Sequence, residues 1–142
     1  MGVAAGGISL SVGMGGGVGW GMSFAPDAYR IFVSDLKAAG EFYGGILGWP
    51  LQAQEEGWLY FAPGTIGVVL ELVHPGHPED EGLVGRFTGL SLTSDNIQAD
   101  YEKLKGLGVA FTHAPSRREW GGWLADFMDV SGNTLTLVQR EG

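Results

Sequence analysis

Three histidines and 16 acidic side chains carry most of the chemistry available to this sequence, because it contains no cysteine. The lack of thiols excludes a disulfide framework, a zinc knuckle and a thiolate nucleophile. His74 and His77 lie close to acidic residues 79–81, a composition that could form a surface metal clip. Two prolines and a glycine in this segment oppose the helical i,i+4 spacing such a clip needs, so we interpret residues 75–85 as a linker. His113 precedes Ala-Pro and is predicted to be an exposed polar residue.

Length and charge restrict the classes of partner. The chain has 142 residues, 44% hydrophobic and 17% charged, which is the usual balance of one globular domain. With 16 acidic and 8 basic residues, its formal charge is −8. Such a surface repels phosphate backbones instead of releasing their counterions, so we expect no nucleic-acid partner. The default expectation for location is the cytoplasm.

The first 26 residues differ in composition from the rest of the chain. Nine of them are glycine, and no charged residue occurs before Asp27. Glycines interrupt every apolar stretch, which argues against a signal peptide and against a membrane span. No register of the glycines gives the GxGxxG pattern of a dinucleotide loop. We predict a Gly-rich leader over residues 1–26, of which residues 1–21 contribute little to fold or binding, followed by one domain over residues 27–142.

The rest of the chain is an internal repeat. A shift of 60 residues aligns Ser-Asp at 34–35 with Ser-Asp at 94–95, and a shift of 65 aligns Gly-Trp-Leu at 57–59 with the same tripeptide at 122–124. The difference of five residues requires an insertion, most simply within 112–120. We expect this insertion to form a loop over an edge or a mouth of the fold.

Each repeat is predicted to contain a strand, a helix and three further strands. In the first, alternating residues predict a strand at 29–33, Asp35 supplies an N-cap, and a helix over 36–47 ends at Gly48. In the second, Asp95 is the predicted N-cap. Gly and Pro turns separate the later strands, which the first repeat places at about 51–55, 58–62 and 67–73. The fold class is therefore α+β, with two βαβββ units at about 27–74 and 86–140.

Two stretches carry a resemblance to a known superfamily. They are Val-Ser-Asp-Leu ahead of a helix ending in Phe-Tyr…Leu-Gly, and Phe-Met-Asp-Val-Ser-Gly-Asn-Thr-Leu-Thr-Leu beginning at Phe127. From residue 29 to residue 140 the chain resembles the vicinal oxygen chelate superfamily, which includes glyoxalase I, extradiol dioxygenases, fosfomycin resistance enzymes and bleomycin resistance proteins. The resemblance implies a curved mixed sheet around a cleft whose floor is the first and fourth strands. It also implies that two chains pair as a homodimer.

Enzymes of that superfamily bind a divalent metal through one ligand on the first and one on the fourth strand of each unit. The resemblance places Ala28 and Thr88 at the first-strand positions, and Glu71 and Thr136 at the fourth-strand positions. Only one of these four is a strong metal donor, whereas a catalytic zinc or iron site needs about three protein ligands. We therefore predict no metal ligand, no cofactor and no assigned catalytic residue.

The cleft is predicted to be aromatic and acidic, and to prefer a ligand with an apolar ring and a cationic or hydrogen-bond-donating group. Arg30 is two residues from Ala28 and so faces the same side of its strand, which predicts an Arg30–Glu71 ion pair. Recognition of a polar or cationic ligand group and action as a general base are the alternative roles of the carboxylate. The repeated Trp58 and Trp123 are expected to pack under the helices. Because side chains alternate along a strand, the residues next to each tryptophan are then expected to face the cleft. The predicted ligand-binding residues are Arg30, Leu59, Phe61, Glu71, Thr88, Trp120, Leu124, Asp126, Met128 and Thr136, with Trp120 as a lid or rim residue.

These features predict a metal-free protein that binds a small organic molecule, like the bleomycin resistance branch, without contacting nucleic acid or membrane. A metal-dependent glyoxalase-like lyase or dioxygenase is the alternative. An enzyme that uses no metal is a third possibility, because a pocket of this kind can hold an acid–base residue that motifs do not reveal.

Overall fold

The computed structural model describes residues 23–77 and 80–141, and it divides them into two units. The predicted leader falls largely on residues 1–22, which lie outside the described residues. The first unit consists of β1 Ala28–Val33, α1 Leu36–Gly40 with a π-helical continuation Glu41–Ile46, β2 Leu51–Glu55, β3 Trp58–Phe61 and β4 Gly67–Leu72. The second consists of β5 Phe87–Thr93, α2 Ile97–Gly106, β6 Ala110–Phe111, β7 Ser116–Arg117, β8 Trp123–Met128 and β9 Thr134–Gln139.

Each unit forms its own sheet. The first has strand order β1-β4-β3-β2, and the second has β5-β9-β8-β6 with β7 also paired to β8. The first and last strands of each unit pair in parallel and the remaining pairs are antiparallel. The predicted α+β class and the two βαβββ units are confirmed, and the predicted insertion contains the additional strand β7. Within the described residues, no helix has the length and apolar content needed to cross a bilayer.

The two helices begin as capping chemistry dictates, although one cap differs from the prediction. Asp35 caps α1, since its carboxylate accepts a 3.0 Å hydrogen bond from the Ala38 amide. The predicted cap Asp95 is wrong, because Asn96 accepts the corresponding bond from Ala99 at 3.1 Å. The reason is that Ser94 Oγ accepts from the Asn96 amide and donates to Asp100, which turns the chain one residue later.

The first helix widens into a π-helix and ends at Gly48, whose φ of 75° requires a left-handed conformation. Its glycines allow close packing on β3. A Cβ at Gly40 would lie 2.8 Å from Leu59 Cδ1, and a Cβ at Gly44 would lie 3.3 Å from Phe61 Cε1. The two glycines therefore offset their low helix propensity by bringing the helix onto the sheet.

One core extends through both units. Phe42 from the first unit packs against Phe127 from the second, with ring centroids 6.3 Å apart. Beside it, the buried Tyr43 hydroxyl donates to Asp129 at 2.7 Å. Asn133 adds a bond from its amide nitrogen to the Phe32 carbonyl at 2.8 Å. The units are thus fixed to each other by apolar packing and by polar side chains of the β8–β9 turn.

Candidate functional site

Each sheet has a helix face, which packs against the core, and an opposite face without a helix, which we call the open face. This face includes the buried residues Tyr60, Val69 and Thr136. Directly paired residues project to the same face, so the strand register assigns every side chain. On the first sheet, the open face carries Arg30, Phe32, Trp58, Tyr60, Val69 and Glu71. On the second sheet, it carries Leu124, Asp126, Met128, Thr134, Thr136 and Val138.

The polar centre of the first open face is the expected Arg30–Glu71 pair. The Arg30 Nε and one terminal nitrogen donate to the same Glu71 oxygen at 3.1 and 2.9 Å. Arg30 Cζ also lies 5.1 Å from the centroid of the Phe32 ring. The two charged side chains are 43% and 25% exposed, so they neutralise each other while remaining accessible from solvent.

The aromatic part of this face consists of different residues from those predicted. Trp58 pairs with Glu71 and Tyr60 pairs with Val69, which places both rings on the open face. Leu59 and Phe61 instead face α1 in the buried core. The predicted direction of Leu59 and Phe61 is therefore wrong, and so is the placement of Trp58 under the helix.

A three-residue displacement between the repeats explains this error. Glu71 pairs with Trp58, whereas its repeat partner Thr136 pairs with Asp126 and not with Trp123. The two Gly-Trp-Leu tripeptides thus occupy different positions along their strands. Because three is an odd number, the displacement reverses which side chains reach the open face.

In the second unit, the side chains of β8 project to the sides that were expected from the sequence. Ala125 and Phe127 are completely buried in the core, while Leu124, Asp126 and Met128 project to the open face. Thr136 Oγ1 donates a 2.6 Å hydrogen bond to Asp126 Oδ1. The structure therefore brings together two of the predicted polar residues with an apolar side chain on either side.

His113, for which the sequence predicts only an exposed polar residue, lies beside the Asp126–Thr136 pair. Its Nε2 lies 3.2 Å from Asp126 Oδ2, and its Nδ1 lies 2.8 Å from the Ala114 carbonyl oxygen. The Thr112 amide donates to the Asp126 carbonyl, which fixes the start of the inserted segment beside β8. The only signal in the sequence was the position of His113 inside the predicted insertion.

In the described part of the structure, Thr88 and Trp120 form no hydrogen bond with either of these two centres. Thr88 donates to the Thr134 carbonyl at 2.8 Å and accepts from the Leu90 amide at 3.0 Å, closing an irregular stretch of β5. It shares with Arg30 the lining of a cavity of about 90 Å³ between β1 and β5. Trp120 is 52% exposed and lies against Gly122 and Arg140, shortly before the first residue of β8.

The four positions of the superfamily's metal ligands do not form a metal site in this chain. Ala28 has no donor atom, and the hydroxyls of Thr88 and Thr136 already donate to a carbonyl and to Asp126. Glu71 is bound by Arg30. Among the described residues, no three His, Asp or Glu side chains cluster as a metal site requires. These residues do not fit a catalytic divalent ion, which needs several free donors.

The architecture and the sequence together define the class. Residues 25–137 match the Glyoxalase/Bleomycin resistance protein/Dioxygenase superfamily, and the chain belongs to this family. The resemblance drawn from the sequence motifs is confirmed.

Individual relatives agree with this assignment. A bleomycin resistance protein from Klebsiella pneumoniae is 30% identical over 114 residues, which cover 75% of this chain and 86% of that protein. The structure of a superfamily member from Sphaerobacter thermophilus has a TM-score of 0.72 and 28% identity, covering 84% of this chain and 99% of the other. An antibiotic binding protein from a Streptomyces species has a TM-score of 0.66 and 33% identity, with coverage of 84% and 99%.

Proposed function

We propose that this chain is a metal-free protein that binds a small organic molecule on the open faces of its sheets, as a member of the bleomycin resistance branch. One observation carries the proposal: Arg30 forms an ion pair with Glu71, the one carboxylate among the four superfamily ligand positions. A guanidinium at this distance repels a metal cation and competes with it for the same oxygen. The donor set is therefore adapted to something other than metal binding.

The shape and chemistry of the open faces support an organic ligand. Trp58 and Phe32, both partly exposed, give the first sheet a wall of aromatic surface beside the Arg30–Glu71 pair, with the buried Tyr60 on the same face. Such a wall binds flat or apolar groups by dispersion, while the ion pair offers directional polar contacts. The relatives described as a bleomycin resistance protein and an antibiotic binding protein support a ligand of drug size.

A homodimer is part of this proposal. β2 of the first sheet and β5 of the second are edge strands, which need cover against unwanted pairing. Phe87 on β5 is 66% exposed beside the cavity between β1 and β5. A second chain packed on this edge would cover an apolar ring and enclose the ligand more completely.

The test combines metal analysis with identification of bound molecules. Elemental analysis after dialysis, followed by titration with nickel, zinc, iron(II) and manganese, is expected to show no tight one-to-one binding. Native mass spectrometry of the purified protein, and titration with metal-free bleomycin as a probe, should detect an organic ligand. Tight binding of one metal ion that Glu71→Ala abolishes would overturn the proposal and favour a metal-dependent lyase or dioxygenase.

A further inference from the structure

The inserted segment builds a polar site on the open face of the second sheet. β6 pairs with Phe127 and Met128, while β7 resumes pairing at Leu124. Three residues, 113–115, therefore stand opposite Ala125 alone and form a bulge. This bulge brings the His113 ring against the Asp126 carboxylate instead of continuing the ladder.

Hydrogen-bond chemistry determines where the protons in this site must be. A carbonyl oxygen only accepts, so His113 Nδ1, at 2.8 Å from the Ala114 oxygen, carries a hydrogen. In a neutral ring, Nε2 then presents a lone pair toward Asp126 Oδ2 at 3.2 Å. Two acceptors at this distance need a donor between them. The contact is satisfied either by one additional proton on the pair or by a donor that the ligand supplies.

We propose that Asp126 Oδ2 and His113 Nε2 form a subsite for the primary ammonium group of a ligand. An ammonium has several N–H donors and can bond to both acceptors at once. Thr136 holds the other Asp126 oxygen at 2.6 Å, which fixes the carboxylate for this purpose. Leu124 and Met128, two residues to either side of Asp126, supply apolar contacts for the body of the ligand. The inference rests on the proposed binding function and specifies its ligand as an apolar amine.

The neighbouring charged groups are engaged elsewhere. On β7, Arg117 lies 3.6 Å from Glu141, and the adjacent Arg118 donates to Ser116 Oγ. At the end of β8, Asp129 accepts from Tyr43 on the core side. From α2, Lys105 lies over the Tyr101 ring. Within the part of the chain that the structure describes, Asp126 is the charged group in contact with His113.

The proposal predicts that binding depends on the N–H donors of the ligand and on both acceptors of the subsite. Benzylamine is the cationic probe. Benzyltrimethylammonium is a matched cation without N–H donors, and benzyl alcohol is a neutral analogue. Binding is followed by NMR shifts of the His113 ring nitrogens and the Asp126 carboxyl carbon in labelled protein.

We expect wild-type protein to bind benzylamine about fivefold more tightly than either the quaternary cation or the alcohol, the effect of one partly exposed charge. His113→Gln should weaken the preference for the amine over its quaternary analogue, and Asp126→Asn should remove the preference for amine over alcohol. His74→Gln, immediately before the linker, is the matched control and should behave as wild type.

The outcomes separate this inference from the broader function. If the amine binds at the open face no better than its quaternary analogue, the ammonium subsite is wrong while the binding function stands. The same conclusion follows if His113→Gln keeps the full preference for the amine, or if benzylamine fails to bind. The broader function is judged independently by the metal titrations and native mass spectrometry.

Discussion

Tyr43 and Asp129 connect the two units through a buried hydrogen bond of 2.7 Å from the tyrosine hydroxyl to the carboxylate. Asp129 also accepts from the amides of Ser131 and Asn133, so its carboxylate organises the β8–β9 turn at the same time. The bond therefore couples the π-helical part of the first unit to a turn of the second. We expect its loss to lower the stability of both units together.

Tyr43→Phe removes the hydroxyl while keeping the ring in the core. We expect the free energy of unfolding to fall by about 1–3 kcal/mol, because a buried acceptor loses one of its donors. Urea unfolding followed by circular dichroism measures the change. Tyr101→Phe is a suitable control, since Tyr101 is only partly buried and packs by its ring against Phe111. An unchanged midpoint for Tyr43→Phe would show that the bond contributes nothing to stability.

The same residue should make the fold sensitive to alkali. Burial, followed by the charge and hydrogen bond of Asp129, raises the pKa of Tyr43 above that of an ordinary tyrosine. The contribution of this pKa shift to the free energy of unfolding is fully present below a pH of about 10, the pKa of tyrosine in an unfolded chain. It decreases as the pH rises further, because only the unfolded chain then loses the proton. Unfolding measured from neutral pH upward should show a steeper loss in wild type than in Tyr43→Phe. If the stability of wild type and of Tyr43→Phe decreased in parallel with pH, Tyr43 would not be the source of the alkaline sensitivity.

Helix packing in the first unit can be tested with two glycines of the same helix. Gly40→Ala places a Cβ 2.8 Å from Leu59 Cδ1, and we expect a cost of about 1–3 kcal/mol from overpacking. Gly45→Ala meets no atom within 4 Å, so it should be neutral or stabilise by up to about 1 kcal/mol through helix propensity. Thermal unfolding of both variants provides the comparison. Equal effects would show that contact with β3 does not explain the glycine at position 40.

The order and type of the elements could be predicted from the sequence because they depend on local chemistry. Alternating residues gave the strands, and the carboxylate of Asp35 gave the first helix start. The side chains that β3 presents to the open face could not be predicted in this way. They depend on a strand register that differs by three residues from that of β8, and local sequence patterns do not reveal such a difference. The site at His113 depends on a bulge formed between two separate strands. Such features arise only when distant segments pair.

Trp58 and Trp123 offer a direct test of this difference between the units. Trp58 lies on the open face beside Glu71, whereas Trp123 packs at the edge of the core. Binding of an organic ligand on the first sheet should change the fluorescence of Trp58. With metal-free bleomycin, or a molecule recovered by native mass spectrometry, we expect Trp58→Phe to remove most of the emission change and Trp123→Phe to retain it. The reverse pattern would place the ligand on the helix side.

The proposed dimer is tested by mass in solution. Light scattering at micromolar concentration should give twice the chain mass of 15.0 kDa. Phe87→Arg should shift the protein toward monomer, because it places a charge at an apolar residue that is 66% exposed on an edge strand. Leu107→Arg, at a position 52% exposed after α2, should leave the mass unchanged. A wild-type mass near 15.0 kDa would be evidence against the dimer.

The Arg30–Glu71 pair is expected to contribute more to binding than to stability. Both side chains are partly exposed, at 43% and 25%, so solvent screens their attraction. A double-mutant cycle with Arg30→Met and Glu71→Gln should give a coupling energy of at most about 1 kcal/mol, and the value should decrease in high salt. The same variants should change the affinity for the organic ligand, because the pair forms the polar centre of the first open face. A coupling energy of about 3 kcal/mol or more, with no change in ligand affinity, would make the pair a structural element and remove it from the binding site.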